Sequence, residues 1–159
     1  MGKKKILNMK ISEYISEKMI CLDLKKTTKE SAIKELAELL KGAEEVAAFS
    51  AFLEDVFARE KLCSTAIGNE IAIPHARTDA VNNIIIAFGR SINGVNFNEP
   101  DNKPAKLIFL MGTPKKDINK YLQVLARLVR LLKKEAFCQR LLDAKNKAEI
   151  LKAIREIEN

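Results

Sequence analysis

The sequence has few of the residues on which many protein functions depend. It contains no tryptophan, one histidine and three cysteines among 159 residues. Cys21, Cys63 and Cys138 are odd in number and widely spaced, which argues against a disulfide framework and against a zinc site. With one histidine the supply of metal ligands is also poor. We therefore expect reduced, mostly structural thiols, no metal ion and no other cofactor.

Long apolar runs are absent as well. The longest, Ile84–Phe88 and Leu107–Met111, have five residues each, whereas a membrane-spanning helix needs about twenty. The lysines at positions 3–5 resemble the charged start of a signal peptide, but Asn8 and Lys10 interrupt the chain before any apolar core region. The sequence therefore predicts a cytoplasmic protein with no membrane insertion.

Composition sets limits on size and partners. A chain of 159 residues with 47% apolar and 31% charged residues predicts one globular domain over residues 1–159. The net charge of +7 would suit a nucleic-acid partner. However, lysines alternate with acids, as in Lys29-Glu30 and Lys34-Glu35, and form no basic stripe with stacking aromatics. We predict a solvated basic surface and no nucleic-acid binding.

Helical and strand patterns alternate along the chain. Thr27 and Glu30 form a capping box before a helix predicted over 28–41. Phenylalanines and leucines at helical spacing predict a second helix over 45–61. The remaining predicted elements are strands at 20–24, 71–73, 84–91 and 106–111, an edge strand at 95–97, and helices at 11–15, 117–133, 136–142 and 147–157. Helices on both faces of a small sheet make an α/β three-layer sandwich.

The tract from Glu60 to Ala76 carries the only histidine to a corner fixed by proline. The apolar run 71–73 predicts a strand that stops at Pro74, so His75 should lie at the rim of the sheet and be accessible to a partner. Hydroxyl, glycine and cationic side chains nearby would suit a small anion; they are Arg59, Ser64, Thr65 and Gly68. The alternatives are a structural histidine and, for Arg59, a cation that stabilises a helix end.

These residues resemble the phosphorylation-site signature of the enzyme IIA domains of the fructose, mannitol and nitrogen-related bacterial phosphotransferase system. The resemblance rests on Arg59-Glu60, Ser64-Thr65, Ile67-Gly68 and the ending from Ile71 to Ala76, which reads Ile-Ala-Ile-Pro-His-Ala. A pattern that extends over residues 59–76 is far more specific than a short motif. The chain's length and order of elements also fit one domain of this family, and the resemblance implies a mixed sheet.

The resemblance implies a role for several side chains. His75 is the phosphoacceptor and Arg59 supports the phosphohistidine, while Ser64 and Thr65 are candidates for hydroxyl contacts to phosphate. Tyr121 stands where many relatives carry a second histidine; a phenol there either donates one hydrogen bond to a phosphoryl oxygen or only packs. Glu70 is either a solvated turn residue or a group that orients the imidazole.

Three functions remain open at this stage. The resemblance implies a phosphocarrier that receives phosphate from the histidine-containing carrier protein HPr and passes it to a sugar-specific IIB domain. A regulatory IIA module of the nitrogen-related type, whose phosphorylation state controls binding to partner proteins, is the alternative. A hydrolase built from Cys63 and His75 is a distant third, because no orienting third group stands at a recognisable spacing.

Overall fold

A computed structural model describes residues 9–159, so the lysines at positions 3–5 lie outside the described residues. The strands are β1 Ile20–Cys21, β2 Ala66–Gly68, β3 Ile71–Ala72, β4 His75–Thr78, β5 Ile85–Val95 and β6 Ala105–Pro114. The α-helices are α1 Lys29–Ala37, α2 Phe49–Leu62, α3 Ile118–Leu132, α4 Glu135–Asp143 and α5 Lys147–Glu158, with short 3-10 turns at Ile11–Glu13, Glu17–Met19 and Glu38–Leu40.

The six strands form one mixed sheet. Its order is β1-β5-β6-β3-β2, and β4 also pairs with β6. The long β5 and β6 are antiparallel and form the centre. Strand β1 is parallel to β5, whereas β3 and β4 are both parallel to β6 and β2 is antiparallel to β3. The predicted α/β class and the mixed sheet are therefore confirmed.

Both faces of the sheet are covered, because successive strand residues point to opposite sides. On β5, Ile86 and Phe88 contribute to a first core with α3, α4 and α5, while Ile85 and Ala87 contribute to a second core with α1 and α2. The sandwich of helices, sheet and helices predicted from the sequence is thus present. No helix of the described part of the chain is long and apolar enough to cross a membrane.

The strand before His75 differs from its prediction. Strand β3 ends at Ala72, because the backbone N–H of Ile73 donates to the carbonyl of Thr65 (3.0 Å) and Pro74 has no N–H to donate. The carbonyl of Pro74 then accepts from Met111 (3.0 Å), and β4 begins at His75. The strand therefore stops before His75, as predicted, but the sequence did not predict that a further strand begins at His75 itself and resumes the pairing with β6.

Other element boundaries in the structure also differ from those predicted from the sequence. Thr28, not Thr27, caps α1, because its side chain accepts from the N–H of Ser31; the capping box with Glu30 was therefore wrong. The helix predicted from residue 45 begins at Phe49, since the preceding turn donates two backbone bonds to the carbonyl of Ala80. The separate edge strand at 95–97 was wrong as well, because β5 continues through an irregular stretch to Val95.

Candidate functional site

The site lies at the start of β4, between β6 and the first turns of α3. His75 pairs in register with Met111 of β6, and Met111 belongs to the first core together with Ile71 and Ile73. Tyr121 of α3 packs against that core, and its ring centroid is 5.7 Å from that of His75. His75 is only 5% exposed. The prediction of an accessible ring was wrong, because the sheet and the Tyr121 side chain enclose it.

Two hydrogen bonds define the state of the imidazole. His75 Nδ1 is 2.8 Å from the carbonyl oxygen of Ile73. A carbonyl oxygen only accepts, so Nδ1 carries the proton and Nε2 of the neutral ring carries the lone pair. The Tyr121 hydroxyl lies 3.1 Å from Nε2 and donates to it. The ring is therefore held as the tautomer whose Nε2 is nucleophilic.

The pKa of His75 is lowered from its ordinary value of 6.5. Burial is the main cause, because it disfavours the charged imidazolium. The hydrogen bond to the Ile73 carbonyl and the negative charge of Glu60 act in the opposite direction, whereas the positive charge of Arg59 lowers the pKa further. The imidazole is therefore neutral at pH 7 and its Nε2 lone pair is available.

Arg59 lies in the last turn of α2, a position that suits both a cation that stabilises the helix end and a cation near His75. Its Nη1 donates to the carbonyl of Cys63 (2.8 Å), so the guanidinium stabilises the end of the helix. Its positive charge also adds to the lowering of the His75 pKa, of which burial is the main cause. Cys63 is exposed, and no hydrogen bond between described residues joins its side chain to His75.

The hydroxyls of Ser64 and Thr65 are both occupied. Ser64 Oγ donates to the carbonyl of Phe97 and accepts from the N–H of Ala66 (3.1 Å). Thr65 Oγ1 donates to Glu60 Oε1 (2.6 Å). Neither hydroxyl is bonded to His75 among the described residues, so a contact with phosphate would require either one to leave its present partner. Their phosphate-supporting role stays a prediction.

Glu70 lies in the turn between β2 and β3 and has a left-handed backbone (φ 66°). Its carboxylate forms an ion pair with Lys106 Nζ (3.3 Å) across the end of β6. Its carbonyl accepts from the N–H groups of Lys106 and Leu107. Of the two roles considered, the geometry agrees with a partly exposed turn residue, with the added ion pair.

Glu60 is a site neighbour that the sequence reasoning left without a role. It is 6% exposed, and its carboxylate accepts from the N–H and hydroxyl of Thr65 and pairs with Lys29 Nζ (3.2 Å). A signal was present in the sequence. Phe52, Val56 and Glu60 are each four residues apart, so helical periodicity puts the carboxylate on the buried stripe of α2.

The arrangement suits nucleophilic attack by a neutral imidazole nitrogen. Nε2 carries the lone pair, the Nδ1 proton has a fixed acceptor, and a guanidinium stands close enough to influence the ring. A phosphorus atom approaching Nε2 must take the place of the Tyr121 hydroxyl, which is then free to donate to a phosphoryl oxygen. Among the described residues no group of three histidine, cysteine or carboxylate side chains could hold a metal ion.

The sequence matches the family model of the phosphoenolpyruvate-dependent sugar phosphotransferase system, EIIA 2, over residues 13–157. The chain belongs to this family. It is 37% identical over 148 residues to the fructose-specific EIIABC component of Bacillus subtilis, matching 93% of this chain and 23% of that protein. It is also 37% identical to the fructose-specific EIIA component of Haloferax volcanii, covering 92% of this chain and 96% of that protein.

Solved structures agree. The nitrogen regulatory protein IIA-Ntr of Neisseria meningitidis superposes with a TM-score of 0.84 at 31% identity, covering 91% of this chain and 98% of that chain. The enzyme IIA-Mtl structure, determined in complex with phosphorylated enzyme IIB-Mtl from Escherichia coli, superposes with a TM-score of 0.77 at 27% identity. The superposition covers 89% of this chain and 97% of that chain. The fold is therefore shared with both a sugar-specific and a nitrogen-related relative.

Proposed function

We propose that this protein is a phosphocarrier whose His75 Nε2 receives a phosphoryl group from an HPr-type donor and passes it to a IIB domain. The observation that carries this proposal is the fixed tautomer of a neutral, buried imidazole, with the Nδ1 proton on the Ile73 carbonyl. The solved complex of a similar IIA with phosphorylated IIB supports the second half of the transfer. We also propose that residues 1–159 form one domain, of which the family match covers 13–157.

The transfer balances without a cofactor. The Nε2 lone pair of His75 forms the new N–P bond while the N–P bond of the donor phosphohistidine breaks, and its electron pair returns to the donor's imidazole. The Nδ1 proton stays in place, so the phosphorylated ring carries a positive charge that the Ile73 carbonyl stabilises. In this proposal Arg59 and the displaced Tyr121 hydroxyl stabilise the phosphoryl oxygens.

A regulatory IIA module is the second candidate, and the agreement with IIA-Ntr favours it. Exposed apolar side chains flank Tyr121 on α3, namely Ile118 and Leu122. A partner that packs on these two side chains would contact the part of α3 whose Tyr121 must move when His75 is phosphorylated. Phosphorylation would then alter partner affinity through the position of this helix turn.

One reconstitution tests the proposal and separates the candidates. The protein is incubated with phosphoenolpyruvate, enzyme I and HPr, and then with a fructose-type IIB domain, and the mass of each protein is followed. We expect one acid-labile phosphoryl group on the wild type, none on His75→Ala, and its subsequent appearance on IIB. Phosphorylation of His75 without transfer to IIB favours the regulatory candidate, and a phosphoryl group retained on His75→Ala contradicts both.

A further inference from the structure

Glu60 has the environment of a residue that acts on the site, although it does not touch the imidazole. A carboxylate in the interior is expensive unless every oxygen is paired. Here Oε2 accepts from the N–H of Thr65 (3.0 Å) and faces Lys29 Nζ (3.2 Å), and Oε1 accepts from the Thr65 hydroxyl (2.6 Å). Three donors therefore converge on one buried group, and two of them belong to a single residue.

Thr65 connects this carboxylate to the segment that holds the histidine. Its N–H and its hydroxyl are both bonded to Glu60, which restrains the residue whose carbonyl meets the histidine segment. That carbonyl accepts from the N–H of Ile73 (3.0 Å), and the carbonyl of Ile73 accepts from His75 Nδ1 (2.8 Å). Pro74, with its restricted φ, is the only residue between Ile73 and His75.

The chemistry of the carboxylate suits this task. An ionised carboxylate only accepts, so it takes the N–H and the hydroxyl proton of Thr65 at once. An amide could bond both groups only if the hydroxyl turned round to accept, and it would carry no charge to pair with Lys29. Lys29, whose side chain is 16% exposed, compensates the buried charge from the start of α1. The carboxylate therefore anchors Thr65 from a helix that is separate from the β3-β4 corner.

We propose that Glu60 is a positioning residue for His75: by anchoring Thr65, its carboxylate orients the Ile73 carbonyl that keeps the proton on Nδ1 and the lone pair on Nε2. The catalytic consequence rests on the proposed phosphocarrier function, whereas the consequence for the tautomer does not. Orienting partners of this kind contribute about 10- to 100-fold in histidine sites that bind metals.

The test uses the fact that His75 is the only histidine of the chain, so the imidazole ¹⁵N signals of the full-length protein belong to it. We compare wild type with Glu60→Gln, and with Glu70→Gln as the matched control, since Glu70 is a carboxylate of the neighbouring turn paired with Lys106. We expect the Nδ1-protonated tautomer in the wild type and in Glu70→Gln. Glu60→Gln should show a mixture of tautomers and phosphorylation by HPr that is about tenfold slower.

The titration of the ring gives a second readout. The charges that act on His75 are Glu60, which raises its pKa, and Arg59, which lowers it, both from α2. Glu60→Gln should therefore move the midpoint of the imidazole titration to lower pH, and Glu70→Gln should leave it in place. A protein in which Glu60 only supports folding would lose stability without a change in tautomer.

If Glu60→Gln fails to fold, a pair of Thr65 variants tests independently whether the bond between Thr65 and Glu60 sets the tautomer of His75. Thr65→Ser keeps the hydroxyl bond to Glu60 and should keep the wild-type tautomer, whereas Thr65→Val removes that bond and should shift the ring towards the Nε2-protonated form. Wild-type tautomer in both Glu60→Gln and Thr65→Val would overturn the positioning role. Failure of the wild type to accept phosphate would instead overturn the proposed function, and the ¹⁵N comparison would still decide the role of Glu60.

Discussion

The phosphoacceptor role proposed for the buried His75 depends on the different hydrogen-bond partners of its two nitrogens. The Nδ1 proton is donated to the Ile73 carbonyl, so the lone pair is on Nε2. The backbone bond therefore engages only the nitrogen that carries the proton. The partner of Nε2 is the half-buried Tyr121, which belongs to a different element. The hydrogen-bond partner of Nε2 is thus a side chain that an incoming phosphoryl group could displace.

Tyr121→Phe should shorten the lifetime of phosphohistidine, because the phenol is the donor nearest to Nε2 (3.1 Å). Loss of one hydrogen bond corresponds to about 0.5 to 1.5 kcal/mol, or about 2- to 12-fold in rate. Stability should barely change, since the ring still packs on the first core. Tyr14→Phe is the control, because Tyr14 packs on the same core. Tyr121→His should make the transfer rate depend on pH near neutrality, since it places a second titratable imidazole beside His75. Lifetimes equal to wild type in both Tyr121 variants would reduce Tyr121 to a packing residue.

Arg59→Ala should slow phosphoryl transfer about 100-fold, the effect of removing a donor that stabilises transition-state charge. The loss of unfolding free energy should stay below about 1 kcal/mol, since the bond to the Cys63 carbonyl is exposed. Lys61→Ala, in the same exposed helix turn, is the control for rate and for melting temperature. A normal transfer rate combined with a lower melting temperature would restrict Arg59 to the helix end.

The pKa of His75 predicts how stability depends on pH. Burial lowers this pKa in the folded state below 6.5, so between the two values the unfolded chain binds a proton that the folded chain does not. The unfolding free energy should therefore fall as the pH drops through 6.5 towards the folded pKa, and this residue should add no slope well above 6.5. Urea titrations of wild type and His75→Gln at several pH values measure the difference. A ring that titrates above 6.5 by NMR would contradict this assignment.

Among the elements, regular spacing was the most reliable guide. The helical spacing of Leu122, Leu125, Val129 and Leu132 predicted α3 almost to its ends. The buried face it indicated was only partly right, because Leu122 is exposed and the buried side chains are Val124, Leu128, Leu131 and Leu132. The predicted start of α2 was wrong. The N–H groups before Phe49 donate to the carbonyl of Ala80, which is more than thirty positions away in the sequence, so no local pattern could reveal it. The break at Pro74 was predicted, but β4 was missed for the same reason, since its partners from Met111 to Pro114 lie in a distant segment of the chain.

An element-scale prediction concerns Arg90 of β5, which joins three parts of the chain. Its Nε donates to the carbonyl of Leu22, and its Nη1 donates to the carbonyls of Leu141, Leu142 and Ala144 at the end of α4. Arg90→Ala should lower the unfolding free energy by about 2 to 4 kcal/mol, because several part-buried carbonyls lose a charged donor together. Chemical denaturation measures this loss.

Arg155→Ala is the matched control for Arg90→Ala, because Arg155 is an exposed arginine of α5. Its loss should change the unfolding free energy by less than about 0.5 kcal/mol. Similar values for the two variants would mean that Arg90 does not fasten α4 to the sheet. Phosphorylation of His75 should persist in Arg90→Ala below its unfolding transition, since the bonds of Arg90 are made to α4 and to the segment after β1.

For the molecule as a whole, the family and the α/β class could be predicted from the sequence, whereas Tyr121 was only one of two alternatives as a neighbour of His75 until the structure placed its hydroxyl 3.1 Å from Nε2. The anchoring of the site by Glu60 and Lys29 was beyond its reach. That anchor joins the start of α1 to the end of α2, and sequence spacing does not show which distant charges meet. Nor could the sequence show that the hydroxyls of Ser64 and Thr65, the candidates for phosphate contacts, are bonded to the Phe97 carbonyl and to Glu60.

The net charge of +7 gives the whole molecule a general attraction for polyanions. Several basic side chains are engaged with acids or with carbonyls, such as Lys29 with Glu60, Arg127 with Glu158 and Arg90 with α4. Binding to duplex DNA or to RNA should therefore be weak and should disappear at about 0.15 M salt, where screening acts over about 8 Å. Fluorescence anisotropy across a salt series measures this, with His75→Ala as a control that leaves the formal charge unchanged at pH 7. Sub-micromolar affinity that persists at that salt concentration would mean that the basic residues form a nucleic-acid surface after all.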